Sequence, residues 1–170
     1  MSFSDKDKEI MGFALEEAKS TLKDGNFPIG AALTINDNLI GVGRNLLHTN
    51  EDWYSHAENN LIQKYSKLIM DETKKGSRVE LFSTIEPCLM CFGTSLLHRI
   101  PRVVFACPDP HGGIATLEKN NFPLVYRDRW PKIERGLLAK DSQELMINFL
   151  EGKDTKIFNQ MLSAYRNMKI

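Results

Sequence analysis

"VELFSTIEPCLMCFGTSLLHRIPRVVFACPDP" (residues 79–110) decides how this chain folds. It opens on VELFST (79–84), an apolar and β-branched run that reads as a buried strand. CLMCFGTSLLHR follows with apolar side chains at helical spacing, and RVVFAC (102–107) returns to strand composition. Strand, helix and strand in about thirty residues is the βαβ pattern, in which the two strands run parallel and the helix covers one face.

The flanks extend the same alternation. SDKDKEIMGFALEEAKSTLKDG reads as an amphipathic helix, with Ile10, Met11, Ala14, Leu15, Ala18 and Leu22 at helical spacing. Ser4 with Asp7 has the pattern of a capping box, and Gly25 marks a stop. IGAALTI (29–35), the turn NDN (36–38) and LIGVGRN (39–45) read as a hairpin. A helix is expected from near Ser55 through AENNLIQKYSKLI, with KKGS (74–77) breaking it. The stretch 108–140 is less regular, and five of the seven prolines fall between 101 and 131. DSQELMINFLEG and DTKIFNQMLSAYRN read as closing helices from about 141, each opening at an Asp cap. The whole predicts one layered α/β domain over residues 1–170, with parallel strands in its second half. It shows no repeat and no linker.

Composition narrows the function. The 170 residues are 42% hydrophobic and 26% charged, which is ordinary for a globular domain. Lys plus Arg and Asp plus Glu are each 22, so the net charge is zero and lacks the basic excess of most nucleic-acid binders. MSFSDKDKEI has no apolar leader, and no run is long enough to cross a bilayer. A cytoplasmic location and no membrane partner are expected. The three cysteines include Cys88-x-x-Cys91, which suggests metal or redox chemistry rather than a disulfide framework.

Two short segments carry the chemistry: SHAENN (55–60) and EPCLMC (86–91). Zinc takes thiolate and imidazole, and a catalytic site supplies three protein ligands and an open position. Cys88 and Cys91 share a helix face, and Pro87 suits the first helical position. His56 from another helix start would complete the set, at the C-terminal ends of the strands. Glu58 beside the metal would act as general base and then general acid. Other readings stay open. Ser55-x-x-Glu58 is also a capping box, and Cys-x-x-Cys alone fits a redox pair. A structural zinc would need a fourth ligand such as Cys107.

The combination His56-Ala57-Glu58 with Pro87-Cys88-x-x-Cys91 resembles the signature of the zinc deaminases of the cytidine deaminase-like superfamily. FPIGAAL (27–33), GVGRN (41–45) and residues 84–110 are similar to that superfamily's branch of tRNA adenosine, guanine and cytosine deaminases. The similarity covers roughly residues 5–110 and is loose beyond them. It implies a three-layer α/β/α sandwich around a mixed five-stranded sheet, and a homodimer. It implies one zinc per chain on His56, Cys88 and Cys91, with Glu58 as proton shuttle. The reaction implied is hydrolysis of an exocyclic amine of a nucleobase or nucleoside, releasing ammonia. Asn45, Asp109 and Phe27 are the substrate contacts it implies, although Asn45 also reads as a turn residue and Asp109 as a loop cap.

The chain departs from that pattern in places. DWYSHAE puts Trp53 and Tyr54 where the tRNA enzymes carry small residues. These rings would stack on a base or pack in an interface or core. DPHGGIA leaves His111 either facing the pocket or solvated. The tail EGKDTKIFNQMLSAYRNMKI carries Glu151 and Asp154 and an apolar helical face, and the clusters KKGSR and HRIPR are short. On these grounds a free nucleobase or nucleoside is preferred over tRNA as substrate. A tRNA adenosine deaminase and a non-catalytic zinc-binding scaffold are the alternatives.

Overall fold

Ser4 sets the first helix. Its hydroxyl accepts the Asp7 amide at 3.0 Å, and the Asp7 carboxylate takes the Ser4 amide at 3.0 Å. That capping box starts α1 (Asp5–Thr21), which ends through a 3-10 turn at Gly25, φ 70°. The computed structural model describes residues 3–170; Met1 and Ser2 lie outside the described residues. β1 (Gly30–Ile35) and β2 (Asn38–Arg44) form the expected hairpin, turned by Asn36 and Asp37 at φ 50° and 66°. Then come α2 (Leu47–Asn50), α3 (Ala57–Lys75), β3 (Val79–Ile85), α4 (Leu89–Leu97) and β4 (Arg102–Cys107). After them lie α5 (Leu124–Arg127), β5 (Lys132–Arg135), α6 (Ala139–Leu150) and α7 (Lys156–Asn167).

The strands make one mixed five-stranded sheet in the order β2-β1-β3-β4-β5. β1 is antiparallel to β2 and β3, whereas β3, β4 and β5 are parallel. Alternate side chains point to opposite faces. Ala31, Leu33, Leu81 and Val103 pack under Leu61 and Ile62 of α3. Ala32, Phe82 and Val104 pack on the other face against Met11 and Ala14 of α1. β1 and β3 are therefore buried throughout, which is why they read as unbroken apolar runs. Helices on both faces complete the three-layer α/β/α sandwich.

Local chemistry differs from expectation at several ends. Cys88 is the N-cap of α4, so Pro87 precedes the cap rather than opening the helix. Ser55 makes no capping box with Glu58; its hydroxyl donates to Asp52 at 3.0 Å, and His56 is the N-cap of α3. α6 starts at Leu138 in the left-handed region with Asp141 inside its first turn, and Thr155, not Asp154, caps α7. β5, KIER, has no apolar run of its own and was part of the irregular stretch.

Arg102 ties the lower edge of the sheet together. Its guanidinium donates to Asp7 and Glu80 at 2.7 Å and to Glu134 at 2.5 Å. The arginine is mostly buried, so removing it leaves three carboxylates facing one another. Arg102→Ala is expected to cost about 3 kcal/mol of folding stability in urea titration; an unchanged midpoint would contradict this role.

Candidate active site

Two helix starts converge above the C-terminal ends of β3 and β4. α3 reaches its place because Gly43 of β2 admits it closely: a Cβ there would lie 2.5 Å from the Ala57 carbonyl oxygen. That contact seats His56 at the N-cap. Ile85 ends β3, and the Glu86-Pro87 segment carries Cys88 to the N-cap of α4, with Cys91 one turn on. His56 Nδ1 lies 3.6 Å from both Cys88 Sγ and Cys91 Sγ. The three donor atoms all fall within 4.8 Å of one another.

That spacing fits zinc. Tetrahedral Zn–S and Zn–N bonds imply sulfur-to-nitrogen edges of about 3.6 Å. The donor set, two thiols and one imidazole, is also what zinc selects. Among the described residues no fourth ligand joins the cluster. Cys107 stays apart, buried, donating to the Pro108 carbonyl at 3.3 Å, and its thiol is pushed up to about 12 chiefly by burial. Among the described residues the arrangement therefore offers three candidate ligands, the number an open catalytic site uses, and not the four of a structural one.

The electrostatics prepare one of the two sulfurs for a cation. Cys88 is lowered to about 4, first because Cys91 donates to it and then because His56 does, against the effect of burial. Cys91 is raised by holding its proton toward Cys88 and by burial. His56 is raised, chiefly by its hydrogen bond to Cys88.

Glu58 lies in the first turn of α3 and is 4% exposed. Its Oε1 accepts the Ser83 hydroxyl at 3.1 Å. Burial pushes its carboxyl up first, and negative charge on Cys88 adds to this. A carboxyl raised in this way holds a proton more readily than an exposed one, which suits it to taking up and returning one.

A cavity of about 360 Å³ opens beside the cluster. Phe27, Asn45, Trp53, His56, Asp109 and His111 all line it. Asn45 is buried, and its Oδ1 accepts the Leu47 amide at 3.1 Å. An amide N–H bonds only the oxygen end, so the Nδ2 donor end is the one left for the cavity. Trp53 is 80% exposed at the rim, which removes the core packing considered for it. Tyr54 does not line this cavity; it borders a separate groove with Leu89, Leu97 and Tyr126. Asp109 accepts the Tyr165 hydroxyl at 3.1 Å and the His111 amide at 2.9 Å. His111 is exposed, and its side chain sits at the cavity edge.

Reading the sequence missed Ser83 and His48; it marked the apolar face of α7 that carries Phe158, Met161 and Tyr165, which here walls the cavity, but not the pairing of Tyr165 with Asp109. Ser83 was findable as the hydroxyl inside the buried run VELFSTI. His48, stacked on Phe27 with centroids 6.0 Å apart, gives no local signal.

A mixed-sheet α/β sandwich with a His-Cys-Cys cluster at its strand ends and a buried carboxyl beside it defines a zinc-dependent hydrolase. The model for the cytidine and deoxycytidylate deaminase zinc-binding region matches residues 4–107. The tRNA-specific adenosine deaminase of Bacillus subtilis is 38% identical over 143 residues, covering 84% of this chain and 88% of that protein. The enzyme of the same name from Haemophilus influenzae is 32% identical, covering 94% and 92%. A solved structure from work on A-to-I editing by tRNA:A34 deaminases superposes with TM-score 0.66 at 28% identity, covering 81% of this chain and 98% of that one. Guanine deaminase from Nitrosomonas europaea shares the fold, with TM-score 0.68 at 22% identity, covering 84% and 83%. The chain belongs to the zinc-binding cytidine and deoxycytidylate deaminase family. Among the described residues, no helix is long and apolar enough to cross a membrane.

Proposed function

We propose that this protein hydrolyses an exocyclic amine on a nucleobase ring held in the cavity, releasing ammonia and leaving a carbonyl. The observation that carries this is Glu58, a buried carboxyl with a raised proton affinity beside the three-donor cluster. His56, Cys88 and Cys91 would hold one zinc, which when bound acts as a Lewis acid that makes water a nucleophile near neutral pH. Glu58 takes one proton of the attacking water and delivers it to a ring nitrogen, then takes the second from the hydroxyl now on the ring carbon and delivers it to the departing amine, so that NH3 leaves as the C–N bond breaks and the carbonyl forms. Ser83 holds the carboxylate in place through these transfers. Asn45 Nδ2 donates to an acceptor on the ring, Phe27 and Trp53 offer aromatic surface, and Asp109 and His111 bound the far side.

For the substrate, the relatives reverse the order that the sequence alone suggests. The two sequence relatives at 38% and 32% identity are named tRNA-specific adenosine deaminases, which makes adenine carried in tRNA the first candidate. A second reading, a free base or nucleoside, is supported by α7: Ile157, Phe158 and Met161 close one side of the cavity where a polynucleotide's neighbouring residues would need room. A homodimer is part of the proposal, because Leu89 and Leu97 stand 67% and 56% exposed beside the site. Sedimentation showing a single chain in solution would remove that part. We take residues 1–170 as one cytoplasmic deaminase domain, closing helices included.

The test is ammonia release from an anticodon stem-loop containing adenosine, set beside free adenosine, adenine, guanine and cytosine. Turnover confined to the stem-loop supports the first reading, and turnover confined to free compounds supports the second. No turnover on any amine by the zinc-loaded protein removes both and leaves the scaffold alternative.

A further inference from the structure

Glu86 is a buried carboxylate that the reaction above does not use. It sits between Ile85, the last residue of β3, and Pro87, at the start of the turn that carries Cys88. It is 6% exposed. Its Oε2 accepts the Asp109 amide at 3.2 Å, and its Oε1 accepts the Thr116 amide at 3.1 Å and hydroxyl at 2.9 Å. One carboxylate thus fastens both ends of the segment from Asp109 to Thr116. Gly113 lies against it so closely that a Cβ would fall 2.6 Å from the carboxyl carbon. The same glycine pairs with Cys88 in an isolated bridge, and the Ile114 amide donates to the Pro87 carbonyl at 3.2 Å. The segment is therefore laid directly along the cysteine-bearing turn.

The chain of contacts continues outward. Asp109, fixed through its amide by Glu86, accepts the hydroxyl of Tyr165. Tyr165 is the one buried residue of α7 and is 1% exposed. At its far end α7 is held by Gln143, whose amide donates to the carbonyls of Tyr165 and Met168 at 2.7 and 3.1 Å. The half of α7 that walls the cavity, Ile157 to Met161, follows the connection at 151–155, where Gly152 takes φ 79°. Phe158, Met161 and Leu162 of α7 also pack against the cluster of Met146, Phe149 and Leu150, and Arg166 pairs with Glu151; the Asp109–Tyr165 bond is the polar contact that joins this helix to the segment after β4.

We propose that Glu86 is a positioning residue: through Asp109 and Tyr165 it couples the turn bearing Cys88 to the helix that walls the substrate cavity. A carboxylate suits the task because it is acceptor-only, with room for all three donors. Glutamine in its place would keep an oxygen for Thr116 but turn an N–H toward the Asp109 amide. Its effect falls on substrate binding and not on proton transfer, since Glu58 and Ser83 lie outside this chain of contacts.

The test compares Glu86→Gln, Tyr165→Phe and the double variant, each as the zinc-loaded full chain. Two readouts are taken: KM against kcat, and the rate of native-state tryptic cleavage after Lys153 in the α6–α7 connection. The kinetic readout rests on the deaminase reading; the cleavage readout stands without it. Each single variant is expected to raise KM and cleavage by about 10-fold, the scale of one lost hydrogen bond to a charged group, with kcat nearly unchanged. The double variant is expected to go no further than the larger single one, because both cut the same chain. Additive effects, or cleavage equal to the parent in Glu86→Gln, would overturn the proposal. Should Glu86→Gln not fold, Thr116→Val removes one donor and leaves the carboxylate. It is then expected to raise cleavage about 5-fold, and no rise counts against the proposal. A parent that turns over no amine defeats the deaminase reading alone, since the cleavage ratios are still measured.

Discussion

Replacing Glu58 by glutamine is expected to lower kcat by roughly 10²–10⁴-fold while zinc stays bound. Glutamine has nearly the same shape and keeps an oxygen for the Ser83 hydroxyl, now 3.1 Å from Oε1. It cannot take a proton from water or deliver one to a ring nitrogen. The helix start and the cluster are otherwise untouched, so metal content by atomic absorption should match the parent. Ammonia release measured alongside separates the two effects. Turnover close to that of the parent would show that the proton travels by another group.

Cys88→Ala is expected to have the other large effect, and on a different quantity. Removing one of three donors should weaken zinc binding by at least about 100-fold, since loss of even an outer partner of a ligand costs 10–100-fold. Activity should fall with the zinc and fail to recover at ordinary zinc concentrations. The fold should survive. The sheet is packed from α1 and α3 by Met11, Ala14, Leu61 and Ile62, all remote from the sulfur in function and contact. Far-ultraviolet dichroism close to the parent's is therefore expected, unlike a small zinc module that unfolds without metal. Cys107→Ser is the control and should keep its zinc, because Cys107 stands outside the cluster. Zinc retained in Cys88→Ala, or lost in Cys107→Ser, would mean that the donors are wrongly chosen.

Much of this arrangement was legible in the chain, and for identifiable reasons. β1 and β3 are buried on both faces, so apolar runs such as GAALTI and VELFSTI had to show themselves. The hairpin was marked by Asn36-Asp37, two residues that tolerate positive φ. Ser4 and Asp7 spelled out the first cap. The chemistry was legible because His56-x-Glu58 and Cys88-x-x-Cys91 each place their atoms within one helical turn. What escaped was set by contacts between distant segments. β5 is four residues of mixed polarity whose place depends on Arg102 reaching Glu134. The caps of α6 and α7 follow from how the chain enters each helix and not from the nearest Asp. Tyr165 meets Asp109 across 56 residues, and no local pattern announces that pairing. The substrate order read from the chain, a free base or nucleoside before tRNA, is the reverse of what the relatives favour, because the cavity is assembled from α7 and the segments after β2 and β4, which lie far apart in sequence.

X-ray absorption at the zinc edge of the purified protein measures the central geometry most directly. Two sulfurs at about 2.3 Å and two nitrogen or oxygen neighbours at about 2.0 Å are expected, one being His56 and the other exchangeable. A shell of three or four sulfurs, a second bound imidazole with no exchangeable neighbour, or purified active protein without zinc would contradict the account.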